Sequence, residues 1–226
     1  MTDTIPESGV KELKQIIIRF AGDSGDGMQL TGERFTDASA LFGNDLATLP
    51  EFPAEIRAPQ GTLAGVSAFQ VQVSDHDITT PGDAPNVLIA MNPAALKKEI
   101  SKLEIGGTVI VNKDTFEERN LKKAGYAENP LETGELANYS LFEVPMTSMT
   151  KEVCKGIEGV KGRDAERSKN FFALGLVSWL YQRPLEPTFD WIVKKFGKNP
   201  AVVEANKAAF KAGHAYGETT EAFAYT

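Results

Sequence analysis

Residues 16–32 (IIIRFAGDSGDGMQLTG) constrain the fold more than any other stretch of the chain. A β-branched run stops at a glycine-rich turn. Met28, Thr31, Phe35, Ala38, Leu41 and Phe42 then recur at three- and four-residue steps, which predicts a helix over 28–42. Strand, glycine turn, helix is the opening of a Rossmann-like α/β domain. In that geometry the turn's N–H groups and the helix N-terminus converge on one spot that suits an anion or a polar ligand.

The turn is not a dinucleotide fingerprint. Gly22, Gly25 and Gly27 stand in the order G-x-x-G-x-G rather than G-x-G-x-x-G, and no P-loop lysine follows. Asp23 and Asp26 lie inside it and would repel a pyrophosphate. Two readings stay open: the glycines permit a tight turn and close strand–helix approach, or the turn touches a ligand directly.

The remainder of the chain continues the α/β pattern. The first strand is expected over 15–21, and Gly43-Asn44 ends the first helix. A second strand is expected over 45–49. Pro50-Glu51-Phe52-Pro53 cannot be helix interior. Residues 68–74 alternate strictly and predict a half-buried strand, after a loop carrying Arg57. Residues 86–91 (NVLIAM) predict a buried parallel strand, and Asn92-Pro93 an N-cap and first turn. That helix is expected to run to about 103, with strands following at 108–112 and 140–144 and a short helix over 116–124. Beyond 146 the pattern is helical: 149–155, a strongly apolar helix over 165–182, another over 187–196, and an alanine-rich helix over 200–216 ended by Gly213 and Gly217. The expected architecture is a Rossmann-like three-layer α/β domain. Its sheet is mostly parallel and flanked by helices, and its C-terminal end is helical. Residues 1–12 form a flexible lead-in, 13–217 the domain, and 218–226 the edge of a linker.

Composition narrows the function. Among 226 residues, a net charge of −7 argues against nucleic acid as the main partner. The apolar runs fall short of spanning length, and the N-terminus lacks a basic-then-apolar signal, so a cytoplasmic, membrane-free protein is expected. The single cysteine, Cys154, can hold neither an iron–sulfur cluster nor a structural zinc by itself, and is expected as apolar filler. The two histidines, His76 and His214, have no triad partners and are expected at the surface. Trp179 and Trp191 are expected in the core, and Glu117-Glu118 on a solvated face. No catalytic set and no metal-ligand set emerges. Arg57, Lys169 and Asn170 are the polar groups of interest, with Lys155, Lys161 and Arg163 on nearby loops; each either addresses an anion or solvates its segment.

Six segments, in order and over nearly the whole chain, carry a resemblance. They are Gly22–Gly27 with Gly32, residues 53–66 (PAEIRAPQGTLAGV), 80–83 (TPGD), 90–96 (AMNPAAL), 167–175 (RSKNFFALG), and Asn206 with Gly213. Together they resemble the gamma domain of 2-oxoacid:ferredoxin oxidoreductases, most of all the N-terminal part of the 2-oxoglutarate:ferredoxin oxidoreductase alpha subunit. The resemblance implies an enzyme that oxidatively decarboxylates a 2-oxoacid with thiamine diphosphate, passes electrons through iron–sulfur chemistry to ferredoxin, and forms an acyl-CoA. In reverse it fixes carbon dioxide. Thiamine diphosphate, its magnesium and the cluster are implied on partner domains or subunits, with this domain helping to bind coenzyme A. On this basis the chain is expected to be inactive alone and to be part of a split or longer subunit; a bridging module without a catalytic role is the rival reading.

Many such domains have a turn closer to G-x-G-G-x-G, so Asp23-Ser24-Gly25-Asp26 is a departure. It moves the expected coenzyme A phosphates toward Arg57, Lys169 and Asn170, and leaves the turn to the pantetheine or a neighbouring subunit. The candidate cofactor-binding set implied by the resemblance is therefore Gly22, Asp23, Ser24, Gly25, Asp26, Gly27, Arg57, Asn92, Lys169 and Asn170.

Overall fold

The structure is a computed structural model describing residues 14–220, apart from Phe42 and Ile56. The sequence-expected lead-in and the last six residues of the linker edge lie outside the described residues. Residues 218–220 form the last turn of a helix.

Six strands, β1 (Gln15–Asp23), β2 (Asp45–Glu51), β3 (Val66–Ser74), β4 (Val87–Ala90), β5 (Thr108–Asn112) and β6 (Ser140–Val144), form one sheet in the order β2-β3-β1-β4-β5-β6. β1–β4, β4–β5 and β5–β6 pair parallel; β3 pairs antiparallel with both β1 and β2. Five strands therefore run one way and only β3 runs against them. The helices are α1 (Met28–Ala40), α2 (Pro93–Glu99), α3 (Glu118–Ala124), α4 (Met146–Cys154), α5 (Gly162–Arg167), α6 (Lys169–Leu180), α7 (Glu186–Phe196) and α8 (Pro200–Thr220).

The two faces of β1 feed two cores. Ile16, Ile18 and Phe20 join Met28 and Phe35 of α1 and the apolar residues of α6 and α8. Ala21 joins Leu88 and Ala90 of β4, the Ala94–Leu96 turn of α2, and Leu121 of α3. The three-layer, mostly parallel arrangement is thus as the sequence implies.

Five local expectations change. β3 is buried on both faces, not one: Gln70 and Gln72 are 4% and 3% exposed. The alternation reads as half-buried only if glutamine must face water, and here Gln70 accepts from Arg19 and donates to the Asp83 carbonyl. The apolar helix expected over 165–182 breaks at Ser168, where the hydroxyl turns to Asn206 of α8 at 2.7 Å. α2 stops at Glu99 and passes into a 3-10 turn over 100–102. Gly213 and Gly217 do not end α8, which runs on to Thr220; they are contact points inside it. His214, between them, is half-buried rather than at the surface.

These glycines explain the closest packing in the molecule. A Cβ on Gly175 of α6 would lie 2.0 Å from the Phe210 carbonyl oxygen, and one on Gly213 of α8 would lie 1.9 Å from that of Phe172. The helices cross backbone to backbone through a reciprocal pair of glycines. Gly32 does the same for α1, where a Cβ would stand 2.1 Å from the Phe69 ring on β3.

β1 also buries a charge. Arg19 is 2% exposed and pairs with Glu99 of α2, wholly buried, at 2.5 Å, and with Glu51 at the end of β2. Lys102 reaches both carboxylates at 2.9 Å, and Lys98 reaches Glu51 at 3.3 Å. Burial pushes the Glu51 carboxyl up, but the Lys102 hydrogen bond and the Arg19 charge outweigh it and hold it down at about 2. The stabilisation this gives is present above the ordinary carboxylate range and lost as pH falls through about 2.

Two outcomes follow. Gly213→Ala should cost about 1–3 kcal/mol by overpacking, read as a lowered midpoint in chemical denaturation; an unchanged midpoint would mean the helices are not locked at this crossing. Arg19→Met should cost about 3–5 kcal/mol, because it removes the buried partner of Glu99 and leaves it only the half-exposed Lys102. Adding Glu99→Gln should recover part of that loss, which a double-mutant cycle measures.

Candidate ligand site at the sheet switch point

In an open α/β sheet, ligands bind beyond the carboxyl ends of the strands where the order of connection reverses. Here that point lies between β1 and β4. From β1 the chain passes through α1 to β2 on one side; from β4 it passes through α2 to β5 on the other. α1 and α2 pack on opposite faces. The turn after β1, residues 22–27, and Met91-Asn92 after β4 stand at that point.

Each glycine of the turn has its own reason. Gly27, N-cap of α1, adopts φ 75°, and a Cβ there would meet the Asn170 amide nitrogen at 2.5 Å. Gly22 is hemmed in by Met91 and Asp26, about 3 Å from where its Cβ would be. Gly25 is different. It is exposed, has no positive φ, and its nearest neighbour would be the Gln60 amide at 3.8 Å. Nothing in the fold requires glycine there.

The two aspartates brace the turn rather than face outward. Asp26 accepts the Asp23 backbone N–H at 2.9 Å and pairs with Lys169, at the start of α6, at 2.9 Å. Asp23 accepts the Gly61 N–H at 2.9 and 3.2 Å on its two oxygens. The Ser24 N–H donates to the Gly65 carbonyl at 3.1 Å. Asn92 caps α2 through the Ala95 N–H at 2.8 Å and also hydrogen-bonds Asp23. Burial, then the nearby Asp26 charge, push the Asp23 carboxyl up to about 6, against the lowering effects of Gly61, Asn92 and Lys169.

The structure thus brings Gly22–Gly27, Asn92, Lys169 and Asn170 to one place. Lys169 is only 14% exposed and its ammonium is already bonded to Asp26, so its charge balances the turn before it meets any ligand. Arg57 is exposed on the loop that Gly61 docks against Asp23. Lys155 is instead paired with Glu152 on the outside of α4, and Lys161 and Arg163 are exposed around the start of α5. The Gly61 N–H and the Arg19–Glu51 cluster escaped sequence reasoning. The signal for the second was a charge at one position of an otherwise apolar strand.

Among the described residues, no group of three or more His, Cys, Asp or Glu is arranged to hold a metal ion, and no helix is long and apolar enough to cross a membrane. Cys154 is buried against Ala205, and burial pushes its thiol up.

Fold and site together define an α/β domain with a braced glycine turn at its switch point. Residues 17–216 match the pyruvate ferredoxin/flavodoxin oxidoreductase family, and the chain belongs to it. It is 59% identical over 216 residues to the 2-oxoglutarate oxidoreductase subunit KorA of Mycobacterium tuberculosis, covering 96% of this chain and 33% of that protein. It is 30% identical over 137 residues to the 2-oxoglutarate synthase subunit KorC of Methanothermobacter marburgensis, covering 60% of this chain and 66% of that one. Among solved structures it is similar to the 2-oxoglutarate:ferredoxin oxidoreductase of Magnetococcus marinus, which has 2-oxoglutarate, coenzyme A and succinyl-CoA bound. That match has TM-score 0.69 and 28% identity, over 92% of this chain and 32% of that one. The keto/oxoacid ferredoxin oxidoreductase gamma subunit of Geobacter sulfurreducens shares the fold, with TM-score 0.61 and 22% identity over 91% of this chain and 99% of that one. The chain spans about a third of the length of the first of these relatives.

The raised Asp23 carboxyl gives a signed prediction. A folded-state value above the unfolded one means stability falls as pH rises from about 4 to about 6. Asp23→Asn, which keeps an oxygen for the Gly61 N–H, should therefore gain stability over the parent between pH 4 and 7, seen in melting temperatures. Parallel pH curves for the two proteins would contradict this.

Proposed function

We propose that the chain is the gamma part of a thiamine-diphosphate-dependent 2-oxoacid:ferredoxin oxidoreductase. The reaction is 2-oxoglutarate, coenzyme A and two oxidised ferredoxins giving succinyl-CoA, carbon dioxide, a proton and two reduced ferredoxins, reversibly. The observation that carries this is the 59% identity over 216 residues to a 2-oxoglutarate oxidoreductase subunit. Thiamine diphosphate, magnesium and the iron–sulfur cluster belong to partner domains or subunits in the cytoplasm. One cysteine cannot ligate a cluster by itself, and Asp23 and Asp26 are engaged in bracing the turn.

This chain's own contribution is to hold coenzyme A and to complete the assembly. The open edge at Gly25, beside Ser24, lets a chain-like ligand approach the backbone closely. The first-turn N–H groups of α1, which has no acidic residue in its first turn and no side-chain cap, face the same crevice. Arg57 is the exposed cation on the adjoining loop and is assigned to a coenzyme A phosphate. Lys169 acts indirectly, by neutralising Asp26.

Reconstitution tests the reading. The chain is combined with the thiamine-diphosphate- and cluster-bearing parts, and coenzyme-A-dependent viologen reduction by 2-oxoglutarate is measured. Activity should require the chain and should exceed that with pyruvate; equal rates without the chain would remove its enzymatic role. In the active assembly, Arg57→Ala should raise the KM for coenzyme A about tenfold, the loss of about 1.4 kcal/mol of charge-assisted binding. An unchanged KM would take Arg57 out of that role.

A further inference from the structure

We propose that Asp23 is a positioning residue, whose carboxylate holds the 54–62 loop, and with it Arg57, in register with the glycine turn. The functional consequence rests on reading the crevice as the coenzyme A site; the positioning itself does not.

The 54–62 loop has little else to fix its tip. Glu55, Arg57, Pro59 and Gln60 are exposed, and the loop's own bonds are internal: Ala58 N–H to Glu55 O and Thr62 N–H to Pro59 O at 3.3 Å, Glu55 N–H to Ala64 O at 3.3 Å, and the Thr62 hydroxyl to Pro59 O at 2.7 Å. The loop's two ends are anchored elsewhere. Its start follows Glu51, held by Arg19, Lys98 and Lys102; at its end the Val66 carbonyl accepts from Lys98 at 3.2 Å and the Gly65 carbonyl accepts from Ser24 at 3.1 Å. Between those anchors, the bond that ties the tip to the sheet is the Gly61 N–H to Asp23, 38 residues away in sequence. It is charge-assisted, and so stronger than a neutral bond.

Asp23 is itself immobilised from every side. Asp26 accepts its backbone N–H, Asn92 at the start of α2 hydrogen-bonds its carboxyl, and Lys169 at the start of α6 offsets the Asp26 charge. Holding a carboxylate half-buried beside a second one costs stability, as the raised carboxyl shows. Asparagine would accept the same N–H without that cost. The charge is retained where it stiffens a loop carrying the only arginine between residues 35 and 118. The groups facing Asp23 are Asp26, Lys169, Asn92 and the Gly61 N–H, so protonation near pH 6 weakens the tie.

Amide hydrogen exchange of the full chain, alone and within the assembled enzyme, tests the positioning. Exchange at Gly61 should accelerate at least tenfold in Asp23→Ala and by less in Asp23→Asn, which keeps an acceptor but loses the charge. In the parent, protection at Gly61, corrected for intrinsic exchange, should fall from pH 7 to pH 5, and in Asp23→Asn it should not. Unchanged protection in Asp23→Ala, or protection independent of pH in the parent, overturns the proposal. The link to Arg57 is read from KM for coenzyme A. Asp23→Ala and Arg57→Ala should combine to less than the product of their separate effects, whereas a full product overturns positioning through Arg57. If Arg57→Ala alone leaves KM unchanged, the coenzyme A reading fails, and exchange at Gly61 still decides the role of Asp23.

Discussion

β1 has no wet face. It lies inside the sheet between β3 and β4, with a helix layer on either side, and Ile17 to Gly22 are buried without a break. Everything it carries must be satisfied by protein. The apolar residues do this by dividing between two cores. Arg19 does it by drawing Glu51, Glu99 and Lys102 around itself. Such a cluster is weak evidence for stability, since burying charge costs about what the pairing returns. Its geometric effect is more definite: it ties the ends of β2 and α2 to the strand that leads into the glycine turn.

The same accounting governs the turn. Its two aspartates look ill-suited to an anion site when read as free charges. In the structure one accepts a backbone N–H and a lysine, and the other docks the neighbouring loop. The acidic residues brace the turn, and within it Ser24 and Gly25 are left exposed.

Much of this was legible in the sequence because period and punctuation carry it. The β1–turn–α1 opening, the β4 run with Asn92 as cap and Pro93 behind it, and the β5 strand follow from local pattern alone. What failed depended on partners remote in sequence. Gln70 looks solvent-facing until Arg19 and the Asp83 carbonyl are seen beside it, and Gln72 is buried with its side-chain oxygen unpaired. Gly213 looks like a helix stop until Phe172 of another helix is found against it. Ser168 breaks a continuous apolar pattern because Asn206, 38 residues on, takes its hydroxyl. At the site, the proximity of Lys169 and Asn170 to the glycine turn followed from the family resemblance, while the Gly61–Asp23 tie had no local signal. The comparisons supply the family; the geometry supplies how these residues brace one another.

The central claim is that coenzyme A lies in the crevice between the glycine turn and the 54–62 loop. Hydrogen exchange of the assembled enzyme with and without coenzyme A addresses it most directly. The account predicts slowed exchange confined, within this chain, to residues 22–28 and 57–62. Protection elsewhere on the chain, or none in these two segments at saturating coenzyme A, would contradict it.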